Sequence, residues 1–120
     1  MEPGRARIMR ELQVSLGLLA GSGREALQSV PDGCAKADEL AFDYCDALHL
    51  ACEHCAAAFT PEQLEALRLV DRLLGEMSGR TNAELWTDEA VLSGVRWREV
   101  RAAAQAAVGC MGWSEVLRRS

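Results

Sequence analysis

The amino-acid sequence predicts an all-α fold, a single-domain bundle of about four main helices joined by short connecting helices. Apolar residues recur at the spacing of amphipathic helices, and clusters of glycine, proline and serine divide the chain into helix-length segments. No segment alternates between apolar and polar residues as a half-buried strand does. The chain has 120 residues, the size of one domain, so we expect residues 1–120 to form a single helical domain.

The first third of the chain contains one long predicted helix and one short one. The long helix covers about residues 5–20 and ends at Gly21-Ser22-Gly23. A short helical turn over residues 24–30 follows, and Pro31-Asp32-Gly33 interrupts the chain again. On a helical wheel the apolar residues of the long helix share one side: Ile8, Met9, Leu12, Leu16 and Leu19.

The boundary between the second and third long helices is marked by a capping sequence. The second helix is predicted over about residues 35–59 and the third over about residues 61–77. Between them, Thr60 suits the N-cap, Pro61 the first helical position and Gln63 the third position of a capping box. Ser78-Gly79-Arg80 ends the third helix. Its apolar stripe consists of Leu67, Val70, Leu73, Leu74 and Met77.

The last third predicts short helices followed by a fourth long one. Residues 81–94 are typical of one or two short helices, with Thr87 as the N-cap of the second. The fourth long helix covers about residues 95–111 and ends at Gly112. We expect Trp97 in the core and Trp113 at one end of the bundle. Trp86 either closes the other end or lies exposed as a contact residue.

Composition limits the classes of partner. A net charge of −5 argues against a nucleic-acid partner, which usually requires a basic face. Some arginines do cluster near both ends of the chain. No apolar run reaches the length of a membrane span or of a signal-peptide core, so we expect a cytoplasmic protein with no membrane partner. Five cysteines without a secretion signal argue against a disulfide framework. The clustered arginines are Arg5, Arg7, Arg10, Arg118 and Arg119.

The second long helix carries an acidic side. On a helical wheel, Phe42 and Leu50 project from this side, about 80° apart. An aromatic residue and a leucine framed by carboxylates are typical of an interface hot spot with a charged rim. The alternative is that a neighbouring helix covers both. We predict a basic protein partner, steered electrostatically to this helix. The predicted partner-binding residues are Asp38, Phe42, Asp46, Leu50 and Glu53, and Glu39 and Asp43 lie on the same side.

The same helix suggests an alternative function in metal binding or thiol-redox sensing. Cys45, His49 and Cys52 share one strip of the helix, and thiolate and imidazole groups bind Zn²⁺ or Cu⁺. Cys52-Glu53-His54-Cys55 has CxxC spacing, yet no second pair of ligands follows, so we favour no metal and no cofactor. Asp46-Ala47-Leu48-His49 matches the ligand spacing of di-iron bundles but has no second copy.

Catalytic motifs are missing from the sequence. It contains no P-loop, GxGxxG, HExxH or GxSxG motif. A cysteine–histidine pair on the second long helix is conceivable, but no orienting group or oxyanion donor accompanies it. We therefore predict that the protein is not an enzyme.

Three short segments resemble small helical bacterial proteins of the immunity type, which neutralise toxins delivered by competing cells. The resemblance implies a cytosolic, stoichiometric inhibitor that binds a toxin domain. It assigns no binding residues, because the interfaces of such proteins vary. The segments are Asp38-Glu39-Leu40-Ala41-Phe42-Asp43, Leu85-Trp86-Thr87-Asp88-Glu89-Ala90 and Trp97-Arg98-Glu99-Val100-Arg101 with the alanine-rich helix after it.

The leading functional hypothesis is a non-catalytic protein-binding module, and the resemblance implies one of the immunity type. The oligomeric state is left open by the sequence. A symmetric contact through the acidic side would place like charges against each other. A scaffold assembled from several copies would instead use apolar residues that lie off the main stripes: Val14, Leu18, Leu64 and Leu69.

Overall fold

The computed structural model describes residues 3–115, and this part of the chain is helical with no strand. The predicted all-α fold is thereby confirmed. Arg118 and Arg119 lie outside the described residues. Two 3-10 segments, Ala56–Ala58 and Arg80–Trp86, connect the longer elements. The α-helices are α1 (Pro3–Ala20), α2 (Gly23–Ser29), α3 (Lys36–His54), α4 (Pro61–Glu76), α5 (Asp88–Ser93) and α6 (Val95–Met111).

The four long helices form a bundle in which α1 and α6 are the two central helices. α1 packs along both α3 and α6, and α4 packs along α6, so the order around the bundle is α3, α1, α6, α4. Leu12 and Leu16 of α1 have no exposed surface, and neither do Leu67 and Val70 of α4. The buried side chains form one continuous core to which every α-helix contributes. Burial of these apolar side chains is the main stabilising term of the fold.

Side-chain caps fix the helix starts that the sequence predicts. The Thr60 hydroxyl accepts a hydrogen bond from the Gln63 backbone N–H at 3.1 Å, and the Gln63 side-chain oxygen accepts one from the Thr60 N–H at 2.9 Å. This reciprocal pair is the predicted capping box. At α5 there is a single capping bond, in which the Thr87 hydroxyl accepts from the Ala90 backbone N–H at 3.1 Å. Gly112, with φ of 72°, ends α6 in the left-handed conformation that glycine favours.

The prediction for the end of α3 is wrong by five residues, because the helix stops at His54 and not at Phe59. Cys55 leaves the helical region with φ of −130°, and its thiol lies 3.9 Å from the Arg5 carbonyl at the start of α1. Breaking the helix here turns the chain towards α4 and lets Phe59 pack into the core, where it is 8% exposed.

Trp86 and Trp97 pack at the end of the bundle where the 3-10 segment Arg80–Trp86 precedes α5. Trp97 is buried, as predicted, and its indole N–H donates to the Leu85 carbonyl at 2.7 Å. Trp86 is half-buried, and its indole N–H donates to the Met77 carbonyl at 2.8 Å. The Trp86 and Trp97 rings meet edge to face at 5.6 Å. These contacts favour the interpretation of Trp86 as a closing residue. Trp113 is also buried.

A close backbone contact joins α2 to α5 at Gly23. A Cβ at this position would lie 2.7 Å from the Val91 carbonyl oxygen and 3.1 Å from the Leu92 Cα. Both contacts are with backbone, which cannot rotate away as a side chain can. Gly75 differs, because a Cβ there would meet no atom within 4 Å.

Replacing these two glycines by alanine should therefore change stability in opposite directions. We expect Gly23→Ala to lower the free energy of unfolding by about 1–3 kcal/mol through overpacking. Gly75→Ala should raise it by about 0.5–1 kcal/mol, because alanine is the better helix former. Urea denaturation followed by circular dichroism measures both. A neutral Gly23→Ala would contradict the close approach of α2 and α5.

Candidate functional site

The exposed side of α3 forms a ridge along the bundle. Its opposite side is buried in the core through Leu40, Ala41, Tyr44 and Leu48. We call the exposed side the α3 ridge and define it by Glu39, Phe42, Asp43, Asp46, His49 and Glu53. Four of these six residues are acidic, and none is lysine or arginine. The acidic side predicted from the sequence is therefore exposed except at Asp38, which is half-buried.

Phe42 is the main apolar feature of the α3 ridge. Its side chain is 62% exposed, more than the other exposed large hydrophobic residues of the described chain. Asp38 and Asp46 lie one helical turn before and after it, so carboxylates frame the ring. The alternative that a neighbouring helix covers this residue is wrong for Phe42. A large exposed ring among charged groups is typical of a contact residue.

Leu50 does not join Phe42 in one patch. It is half-buried and lines a groove between α1 and α3. Phe42 lines a different groove, between α3 and α4, on the other flank of the ridge. The angle of about 80° between the two side chains places them on either side of the crest, where each meets a different neighbour. The predicted interface is therefore split, with Asp46 and Glu53 on the crest between the two flanks.

The groove between α3 and α4 has a volume of about 480 Å³. Asp38, Phe42 and Cys45 of α3 line one side, Asp71 of α4 lines another, and Trp86 closes one end. Sequence reasoning missed Asp71 because nothing in α4 marks it as functional. The one available signal is its position at the edge of the apolar stripe, four residues after Leu67.

Two hydrogen bonds tie α3 to α4 beneath this groove. Tyr44 has no exposed surface, and its hydroxyl donates to the Leu67 carbonyl at 2.7 Å. The next residue, Cys45, donates its thiol hydrogen to the Asp71 carboxylate at 2.9 Å. The tyrosine ring fills the space between the two helices, and the groove opens beside it.

The environment of these two groups keeps both of them neutral. Burial raises the pKa of the Tyr44 phenol, and the negative charge of Asp71 raises it further. Burial also raises the pKa of the Cys45 thiol to about 12, with a further contribution from its hydrogen bond to Asp71. A reactive thiol needs the opposite, a lowered pKa. Cys45 is thus placed as a structural hydrogen-bond donor.

The proposed metal ligands are not brought together. The Cys45 thiol is hydrogen-bonded to the Asp71 carboxylate. The His49 imidazole is exposed to solvent, 3.8 Å from the Glu53 carboxylate. Cys52 is half-buried two turns further along. Residues seven apart on one helix, such as Cys45 and Cys52, are separated by about 10 Å along its axis, too far for both to bind one ion. Residues 3–115 contain no cluster of three or more suitable ligands.

Comparison with known proteins finds no match, whether to a protein-family model, to a characterised sequence or to a solved structure. The immunity-type resemblance therefore stays a prediction. Within the described residues, no helix combines the length and apolarity needed to cross a bilayer.

Thiol labelling should separate the cysteines by exposure and pKa. Cys34 and Cys110 are exposed, whereas Cys55 is buried and the Cys45 thiol has a raised pKa. We expect iodoacetamide at pH 8 to modify Cys34 and Cys110 at least about tenfold faster than Cys45 or Cys55, because the thiolate is the reacting form. Peptide mass spectrometry over time measures each rate. Fast modification of Cys45 would instead support a redox role for that thiol.

Stability should fall in alkaline solution because of Tyr44 and Cys45. Both have raised pKa values in the folded state, so the folded chain binds more protons than the unfolded chain above about pH 9. Their contribution is fully present below that pH and is lost as pH rises towards about 12. A Tyr44→Phe/Cys45→Ala variant should show a flatter decline of unfolding free energy with pH. Cys34→Ala serves as the control and should keep the wild-type slope.

Proposed function

We propose that the protein is a non-catalytic, cytoplasmic protein-binding module that binds a basic protein through the α3 ridge. The observation that carries this proposal is the 62% exposure of Phe42 between two carboxylates. A stoichiometric inhibitor of the immunity type, as the resemblance implies, would act through such a surface. It would occupy the partner's own functional site and would need no chemistry.

The electrostatics of the ridge favour a basic partner. The chain carries a net charge of −5, and Asp43 and Asp46 form no ion pair within the described part of the molecule. Glu53 has only the two histidines near it, at 3.8 Å and 3.9 Å. Exposed carboxylates without fixed partners attract a basic surface and speed its association.

Phe42 supplies the apolar contact that charge alone does not. Covering its exposed ring would contribute about 1–2 kcal/mol from area removed from water. The groove beside it adds Asp38 and Asp71 within reach of the same partner. An arginine or lysine of the partner that enters here would pack its stem on the ring and place its charge near the two carboxylates.

Replacing Phe42 by arginine should abolish capture of the partner. Immobilised wild-type protein should retain a basic protein from lysates of the source organism or of close competitors, and Phe42→Arg should retain at least about tenfold less. Val95→Arg is the matched control, because Val95 is 60% exposed and lies on α6, away from the ridge. Quantitative mass spectrometry of the bound proteins measures the difference.

Two outcomes would count against the proposal. The first is equal capture by both arginine variants, after circular dichroism has shown that each one is folded. The second concerns charge. Once the partner is known, Asp46→Lys/Glu53→Lys should slow its association strongly at low salt and less at high salt. An association rate that does not depend on salt would contradict the claim that the carboxylates of the ridge attract the partner.

A further inference from the structure

A second groove lies on the other flank of the α3 ridge, between α1 and α3. It has a volume of about 720 Å³ and an apolar floor that includes Val14, Leu18 and Leu50. Val14 is 53% exposed although it belongs to α1, one of the two central helices. Leu18 and Leu50 are half-buried. Neighbouring apolar side chains left open to water are typical of an interaction surface.

The two edges of this groove carry opposite charges. Arg7, Arg10 and Glu11 of α1 form one edge, which has a net positive charge and which we call the basic rim. Asp43 and Asp46 of α3 form the other, which we call the acidic rim. Arg7 makes an exposed ion pair with Glu11 of its own helix at 3.3 Å. Within the described residues, Arg10 and both aspartates of the acidic rim have no such partner.

We infer that this groove is the contact between two copies of the chain. In a two-fold dimer the same surface meets itself, and every contact is made twice. The apolar floors then cover each other, and the basic rim of each copy meets the acidic rim of the other. Val14, Leu18 and Leu50 would be removed from water in both copies.

The rims favour a second copy over the basic partner proposed for the ridge. A uniformly basic surface would be repelled by Arg7 and Arg10, and a uniformly acidic one by Asp43 and Asp46. A second copy carries both signs on opposite sides of an apolar strip, as the groove requires. The position of Cys55 near Arg5 shows that α1 and α3 run antiparallel, so each rim follows one side of the groove.

The dimer would leave Phe42 open but would engage Asp43 and Asp46, which also belong to the α3 ridge. Phe42 lies on the α4 flank of the ridge, away from the α1–α3 groove. Because each copy has a net charge of −5, long-range repulsion opposes the local attraction of the rims. We therefore expect weak association with a dissociation constant on the order of micromolar.

Sedimentation equilibrium of the purified chain, without any partner, tests this inference. The average mass should rise from 13.1 kDa towards twice that value as the concentration increases through the micromolar range. Val14→Asp should weaken association at least about tenfold, because it places a carboxylate in the apolar floor. Val95→Asp, at a residue 60% exposed on α6, should associate like the wild type.

Charge reversal of the rims gives a sharper test. An Arg7→Glu/Arg10→Glu variant has two acidic rims, and an Asp43→Arg/Asp46→Arg variant has two basic rims. Each alone should be monomeric, whereas an equimolar mixture should associate at least as strongly as the wild type. Circular dichroism should show that each variant is folded, because all four of the replaced residues are exposed.

The inference is overturned if the wild type stays monomeric at submillimolar concentration. It is also overturned if Val14→Asp associates as strongly as Val95→Asp, or if the mixed rim variants remain monomeric. None of these results bears on capture through Phe42, because no partner is present. A failed capture experiment would likewise leave the dimer measurement unchanged.

Discussion

The buried side chain of Tyr44 sets the geometry on which the surface of this protein depends. Its ring fills the space between α3 and α4. Its hydroxyl donates a hydrogen bond to the Leu67 carbonyl at 2.7 Å, so this buried polar group has a partner. The neighbouring bond from Cys45 to Asp71 adds a second tie at the same level. With the helices held at this separation, a groove opens beside the ring and Phe42 stays at its edge. The same spacing leaves the crest of α3 free of any covering helix.

A single helix thereby presents two different surfaces. On the α4 flank, an exposed aromatic ring lies among carboxylates and suits a basic partner. On the α1 flank, an apolar floor lies between a basic and an acidic rim and suits a copy of the chain itself. The crest, with Asp46 and Glu53, separates the two. Asp43 and Asp46 border both surfaces, so a partner at Phe42 and a second copy at the groove would share these two carboxylates.

Capping residues and helical periodicity predicted most of the fold. The features that they missed depend on which helices pack against each other. Thr60 and Gln63 cap α4 through bonds within four residues, so no knowledge of packing was needed. Helical periodicity placed Phe42 on the acidic side of α3 but left open whether a neighbouring helix covers it. Periodicity does not reveal which helix lies beside each flank, and for this reason Leu50 was grouped with Phe42 and Asp71 was overlooked. The end of α3 depends on where α1 begins, which is again a tertiary relation.

The free energy of unfolding of a Phe42→Ser variant tests most directly whether the α3 ridge is an uncovered surface. If Phe42 projects into solvent as described, urea denaturation should give a value within about 1 kcal/mol of the wild type. A loss of about 3–5 kcal/mol, typical of a phenylalanine removed from a core, would contradict this. Phe42 would then be part of the packing between α3 and α4, and the binding surface proposed around it would not exist.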